Sequence, residues 1–174
     1  MMKNAIILLI LMASLGTGCV CTVKTTRSVT EDSGKARLVG AWRAKVQFKT
    51  GSFATVKDLE FLYVFNAGGT MTESSNYDES PPVAPAYGVW RKTGQRQYES
   101  KSVFYTTKPP ENFGEIAKGN GWSPAGHGVI VEKISLSGDG KSYHSTLRFD
   151  AFDPAGKPAE TGSEATVEAV RITF

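Results

Sequence analysis

His144 and Asp150 are the first residues of this chain whose types could do acid–base chemistry. Both fall on one face of a strand-like run in which Tyr143, Ser145, Leu147, Phe149 and Ala151 alternate with His144, Thr146, Arg148 and Asp150. Six residues of strand hold them about 20 Å apart, too far for a base and the carboxylate that would orient it. His127 stands between Gly126 and Gly128, where it either presents a proton donor at a rim or stabilises a glycine-rich bend. Two histidines, and no cysteine after Cys21, leave no zinc-type ligand set. Asp139 lies between two glycines without the further acidic spacing of a calcium loop. Neither Gly119-Asn120-Gly121 nor Gly138-Asp139-Gly140 leads into a helix, so both read as turns and not as phosphate cradles. No G-x-S-x-G nucleophile motif occurs. The sequence thus predicts no catalytic residue, no metal site and no cofactor.

What remains is recognition by aromatic side chains. Trp42, Phe48, Phe61, Tyr63 and Phe65 share the inward phase of the early strands, as do Trp90, Tyr98, Phe104, Tyr143 and Phe149 of the later ones. Small residues hold that phase elsewhere: Ser100, Ser102, Ser145, Ala151, Ala165 and Ala169. Either the rings fill the space above the small residues and the interior is solid, or one end stays open as an apolar pocket with a few hydroxyls. In the second case Trp90, Tyr98, Phe104 and Tyr143 are expected to line the pocket, with Trp122 in a loop over it.

These side chains need strands to position them. Tyr87 to Tyr98 reads as a hairpin reversing at Gly94, with a positive backbone angle expected there and Trp90 meeting Tyr98 across the pair. Period-two alternation marks Leu38–Phe48, and Leu59–Phe65 reverses at Gly68-Gly69 into Thr70–Asn76. Pro81, Pro82 and Pro85 exclude a central strand from the next stretch. The hairpin's second arm runs to about Thr107, and residues 108–126 are expected to be irregular. Further strands cover Val129–Leu136 and Tyr143–Ala151, and after Asp153-Pro154-Ala155-Gly156 a last one contains Ala165 to Arg171. The count is about eight, with no helical period beyond the first residues. An all-β antiparallel up-and-down meander of this size abolishes its edges by closing into a barrel.

A chain of 174 residues, 40% hydrophobic and 21% charged, has the makeup of one ordinary globular domain, expected over 38–174. Residues 1–18 read as an export signal: Lys3, an apolar run from Ala5 to Met12, then small residues before Cys19. Residues 19–37, polar and free of aromatics, read as a flexible linker. Leu15 stands four residues before Cys19 with Gly16-Thr17-Gly18 between. That pattern leads either to lipidation at Cys19 and attachment to the cell envelope, or to cleavage after Gly18 and a periplasmic or secreted protein. The net charge of +3 is dispersed among alternating signs, which argues against nucleic-acid binding. The membrane enters only through the anchor at Cys19.

Gly40-Ala41-Trp42 on the first strand and Arg171 on the last resemble the calycin signature, in which a basic residue of the final strand covers a tryptophan at the closed end of the barrel. Phe65-Asn66-Ala67-Gly68-Gly69-Thr70, Gly88 to Gly94 and Phe152-Asp153-Pro154-Ala155-Gly156 are similar to segments of small exported bacterial lipocalin-like proteins without an assigned activity. True lipocalins add a helix after the eighth strand and a disulfide; here the last run reads as strand and no cysteine follows Cys21, so the wider calycin or allene-oxide-cyclase-like barrel is the nearer comparison. The resemblance implies a barrel that binds a small apolar or amphipathic molecule. The alternative is a non-catalytic interaction module with a solid core, in which Leu62, Val64, Val103, Tyr105, Val170 and Ile172, all on the outward phase, meet a partner or a second copy. An isomerase of the kind found among such barrels comes third.

Overall fold

In the computed structural model, which describes residues 37–77, 85–112, 114 and 121–174, the period-two runs become eight strands. They are β1 (Gly40–Phe48), β2 (Glu60–Phe65), β3 (Thr70–Ser75), β4 (Ala86–Lys92), β5 (Gln97–Lys108), β6 (Ser123–Leu136), β7 (Ser142–Phe152) and β8 (Pro158–Arg171). Each pairs antiparallel with the next, and β8 pairs back onto β1, so the sheet is a closed barrel. This all-β meander is the architecture that the calycin resemblance implies. The expected signal over 1–18, Cys19 and the linker up to residue 36 lie outside the described residues.

Alternation explains the core. On β1, Trp42, Ala44, Val46 and Phe48 are buried while Arg43 and Lys45 are exposed; on β7, Tyr143, Ser145, Leu147 and Phe149 point inward. Register then fixes height along the barrel axis. Trp42 faces Arg171 at one end of the β1–β8 pairing and Phe48 faces Ala165 at the other.

The Trp42 end is closed. Trp42 and Leu38 are both fully buried, and the indole Nε1 donates to the Leu38 carbonyl at 2.8 Å. The Arg171 guanidinium lies 4.1 Å from the indole centroid. Its Nε and Nη1 donate to the carbonyls of Gly140 and Val39 at 2.8 and 2.7 Å. Gly40 makes room for this lid, since it has φ +135° and a Cβ there would strike the guanidinium. No other residue type satisfies both requirements cheaply.

Two details differ from the sequence expectation. Gly94 lies outside the left-handed region: the reversal is a longer connection over residues 93–96 in which Thr93 and Gly94 both donate to the Gln97 carbonyl, so no positive angle is needed. Trp90 and Tyr98 still meet, diagonally, with ring centroids 5.7 Å apart. The stretch expected to be irregular to residue 126 becomes strand at Ser123, pairing Thr107 with Pro124 past a register shift. Such an irregularity is where a sheet tolerates a proline.

Candidate functional site

Opposite the Arg171 lid, the barrel holds a cavity of about 240 Å³. Phe48 of β1, Phe61 of β2, Phe104 of β5 and Phe149 of β7 supply its rings, with Phe53 reaching over from the β1–β2 connection. Phe48 and Phe53 are 5.5 Å apart, Phe53 and Phe149 6.0 Å, and Phe104 stacks on Phe149 at 6.1 Å. Gly128 permits that stack: its missing Cβ would collide with both Phe104 and Phe149. Ile130 and Leu59 add aliphatic wall. Glu73 and Ser75 of β3 are the polar part of the same wall, and Tyr77 stands near them with its hydroxyl bonded to Asp58 at 2.6 Å.

One inward position deeper, the barrel is polar. Tyr63 on β2 pairs in register with Glu73 on β3, and Ser100 on β5 with Glu132 on β6. Glu132 is completely buried. One of its oxygens accepts from the Ser145 hydroxyl; the other, like the hydroxyls of Tyr63 and Tyr143, has no hydrogen-bond partner among the described residues. Burial pushes the Glu132 carboxyl up to about 7, against the opposing pull of the Ser145 and Tyr63 hydroxyls. Tyr63 is near enough to exert that pull without reaching hydrogen-bond geometry. Burial also raises Tyr63 and Tyr143 well above the usual phenol range, and the charges of Glu132 and Glu73 raise both further. Glu73 in the cavity wall thus adjoins a desolvated region behind it that holds Glu132 and the two phenols, where orphaned polar atoms are costly.

Of the residues expected to line a pocket, Phe104 does so. Trp90, Tyr98 and Tyr143 sit at the closed end instead. Trp90 packs on Phe65 at 6.2 Å and donates Nε1 to the Asn66 carbonyl at 2.9 Å, and Tyr143 meets Trp42 edge to face at 5.0 Å. Trp122 is partly exposed just ahead of β6 and is not part of the cavity wall. The reason is geometric, because alternation assigns a face to a residue but not its height along the axis. The interior is consequently filled at one end and hollow at the other.

Sequence reasoning missed Glu132 and Glu73. With Lys133 next to it, Glu132 reads in sequence as one more of the alternating signs of a solvated surface. Yet Ile130, Ile134 and Leu136 hold the inward phase of β6, and Glu132 shares it, just as Glu73 shares the phase of Met71. A charged residue inside an apolar phase was the available signal. Among the described residues, no group of three or more metal-ligating side chains occurs. No protein-family model and no curated protein matches this chain, so the closed barrel, its mouth cavity and the buried acid behind it are the ground for a functional reading.

Proposed function

We propose that this protein is an exported lipocalin-like barrel that binds a small apolar or amphipathic molecule in the mouth cavity, without catalysis. The observation that carries the reading is the cavity itself: about 240 Å³ walled, among the described residues, chiefly by phenylalanine rings with one carboxylate side chain, the composition expected of a small-molecule site. An environment-sensitive apolar dye should bind with a Kd of roughly micromolar. Ala86 lines the cavity, so Ala86→Phe should fill it and weaken binding at least tenfold. Trp90→Phe, at the closed end, should leave binding unchanged. Dye binding indifferent to Ala86→Phe would remove the cavity as its site.

Export and anchoring belong to the same proposal and rest on the first nineteen residues. If Cys19 is lipidated, protein expressed in a bacterium partitions with membranes and Cys19→Ser releases it, since acyl chains contribute about 0.8 kcal/mol per buried methylene. Equal partitioning of the two forms would favour plain secretion.

The interaction-module reading draws on a different observation. Leu62 and Val170 flank Arg43 on neighbouring strands, and both are more than half exposed. Sedimentation decides this case: self-association abolished by Leu62→Lys with dye binding intact would make that face the working surface.

A further inference from the structure

The cavity wall has a sign. Among the described residues Glu73 is its one charged residue, and no lysine, arginine or histidine lines it. Behind it, the fully buried Glu132 has one carboxylate oxygen without a hydrogen-bond partner among the described residues, as do the hydroxyls of Tyr63 and Tyr143. Tyr63 faces Glu73 in register, the Tyr63 and Tyr143 rings lie 6.5 Å apart, and Glu132 accepts from Ser145, two residues along β7 from Tyr143, so the four groups lie close together. Among the described residues Ser145 donates the one hydrogen bond that Glu132 accepts, and an ionised carboxylate offers several further acceptor positions.

Such a region discriminates among ligand headgroups. A fatty acid or other anion would bring like charge into a desolvated space, a juxtaposition that disfavours binding. An ammonium brings donors without acceptors and is itself held in a low-dielectric site only where carboxylates meet it. The rings around it help, because a cation over an aromatic face is attracted by the ring quadrupole. Size narrows the class further. An apolar cavity of about 150 Å³ accommodates a benzene ring, so the 240 Å³ here has room for about ten non-hydrogen atoms on the same scale.

We propose, on the reading of the cavity as a ligand site, that its ligand is an amphipathic monocation, an arylalkyl primary amine of about this size. Its ring lies among Phe48, Phe53, Phe104 and Phe149, and its ammonium is directed at Glu73 and towards the unpartnered oxygen of Glu132 behind it.

Three probes of nearly equal shape test this: phenylpropylamine, phenylpropanol and phenylpropanoate, titrated calorimetrically into the full chain at about pH 8, where an ordinary carboxyl is ionised and the amine is protonated. The amine should bind at least tenfold tighter than the alcohol, and the propanoate most weakly. Glu73→Gln should bring the amine to within about threefold of the alcohol while leaving alcohol affinity unchanged. The ranking on the unaltered protein needs no variant, so a Glu73→Gln chain that fails to fold does not rescue the idea. If the alcohol or the propanoate binds as tightly as the amine, or the apolar dye binds and none of the three probes does, the cation preference is wrong and the site stands. An amine preference that survives Glu73→Gln in a folded variant removes Glu73 from the ammonium's position. If neither the dye nor any probe binds, the ligand-site reading falls as well.

Discussion

Glu132 is an acid kept where acids are expensive to ionise. The unfolded chain releases its proton near 4.5, whereas the folded chain holds it up to about 7 because burial disfavours the charged form. Between those values the folded state binds the extra proton, so this residue's contribution to stability is present in full below 4.5 and is lost as pH rises through about 7. At about 1.4 kcal/mol per pH unit, the loss is of order 3 kcal/mol. The urea midpoint should therefore fall between about pH 5 and about pH 8, and Glu132→Gln should flatten the fall. An equal decline in the variant would assign the pH dependence to other groups. Glu132 was legible in principle, since Ile130 and Ile134 on either side fix its phase. Its own type and that of Lys133 point the other way, because Glu and Lys are mostly exposed.

At the scale of elements, strands announced themselves and their heights did not. The β7 alternation needs nothing beyond its own sequence, but whether Tyr143 or Phe149 borders the cavity depends on pairings with β6 and β8 that only the folded register supplies. The same ambiguity moved Trp90 and Tyr98 from an expected pocket to the closed end. Two predictions belong here. The β1–β8 seam is capped by the Arg171 guanidinium over Trp42, with donors on the Gly140 and Val39 carbonyls. Arg171→Lys should lower stability by about 1 kcal/mol or more, because an ammonium cannot reproduce the planar fork. A double-mutant cycle of Trp42→Phe with Arg171→Ala should show coupling of at least about 0.5 kcal/mol; simple additivity would mean that the stacked geometry contributes nothing. At the mouth, Gly128→Ala should cost about 1 to 3 kcal/mol as overpacking forces the Phe104 and Phe149 rings apart, and dye affinity should change with it. An unaltered Tm and affinity would show that the rings yield without strain.

For the molecule as a whole, closure rests on pairing residues from opposite ends of the chain: Trp42 with Arg171, Phe48 with Ala165. The eightfold strand count and the turn residues made a barrel legible, since a meander of that length has few other ways to cover its edges. The hollow at one end was not legible, because close packing at the Trp42 end and a cavity at the Phe48 end draw on the same inward residue types. Contacts so distant in sequence should make refolding slow, in the range of milliseconds to seconds, and stopped-flow fluorescence of the three tryptophans can follow it; completion within microseconds would contradict a transition state that includes the seam. The hydrogen bond from the Ile172 N–H to the Ala41 carbonyl at 2.9 Å brings the two ends of the fold within bonding distance. Topologically the domain is a ring cut at one place, and the cut is movable. A short linker joining residue 173 to residue 37, with new termini opened in the Asp153–Gly156 turn, yields a circular permutant that keeps every strand neighbour and the buried Leu38.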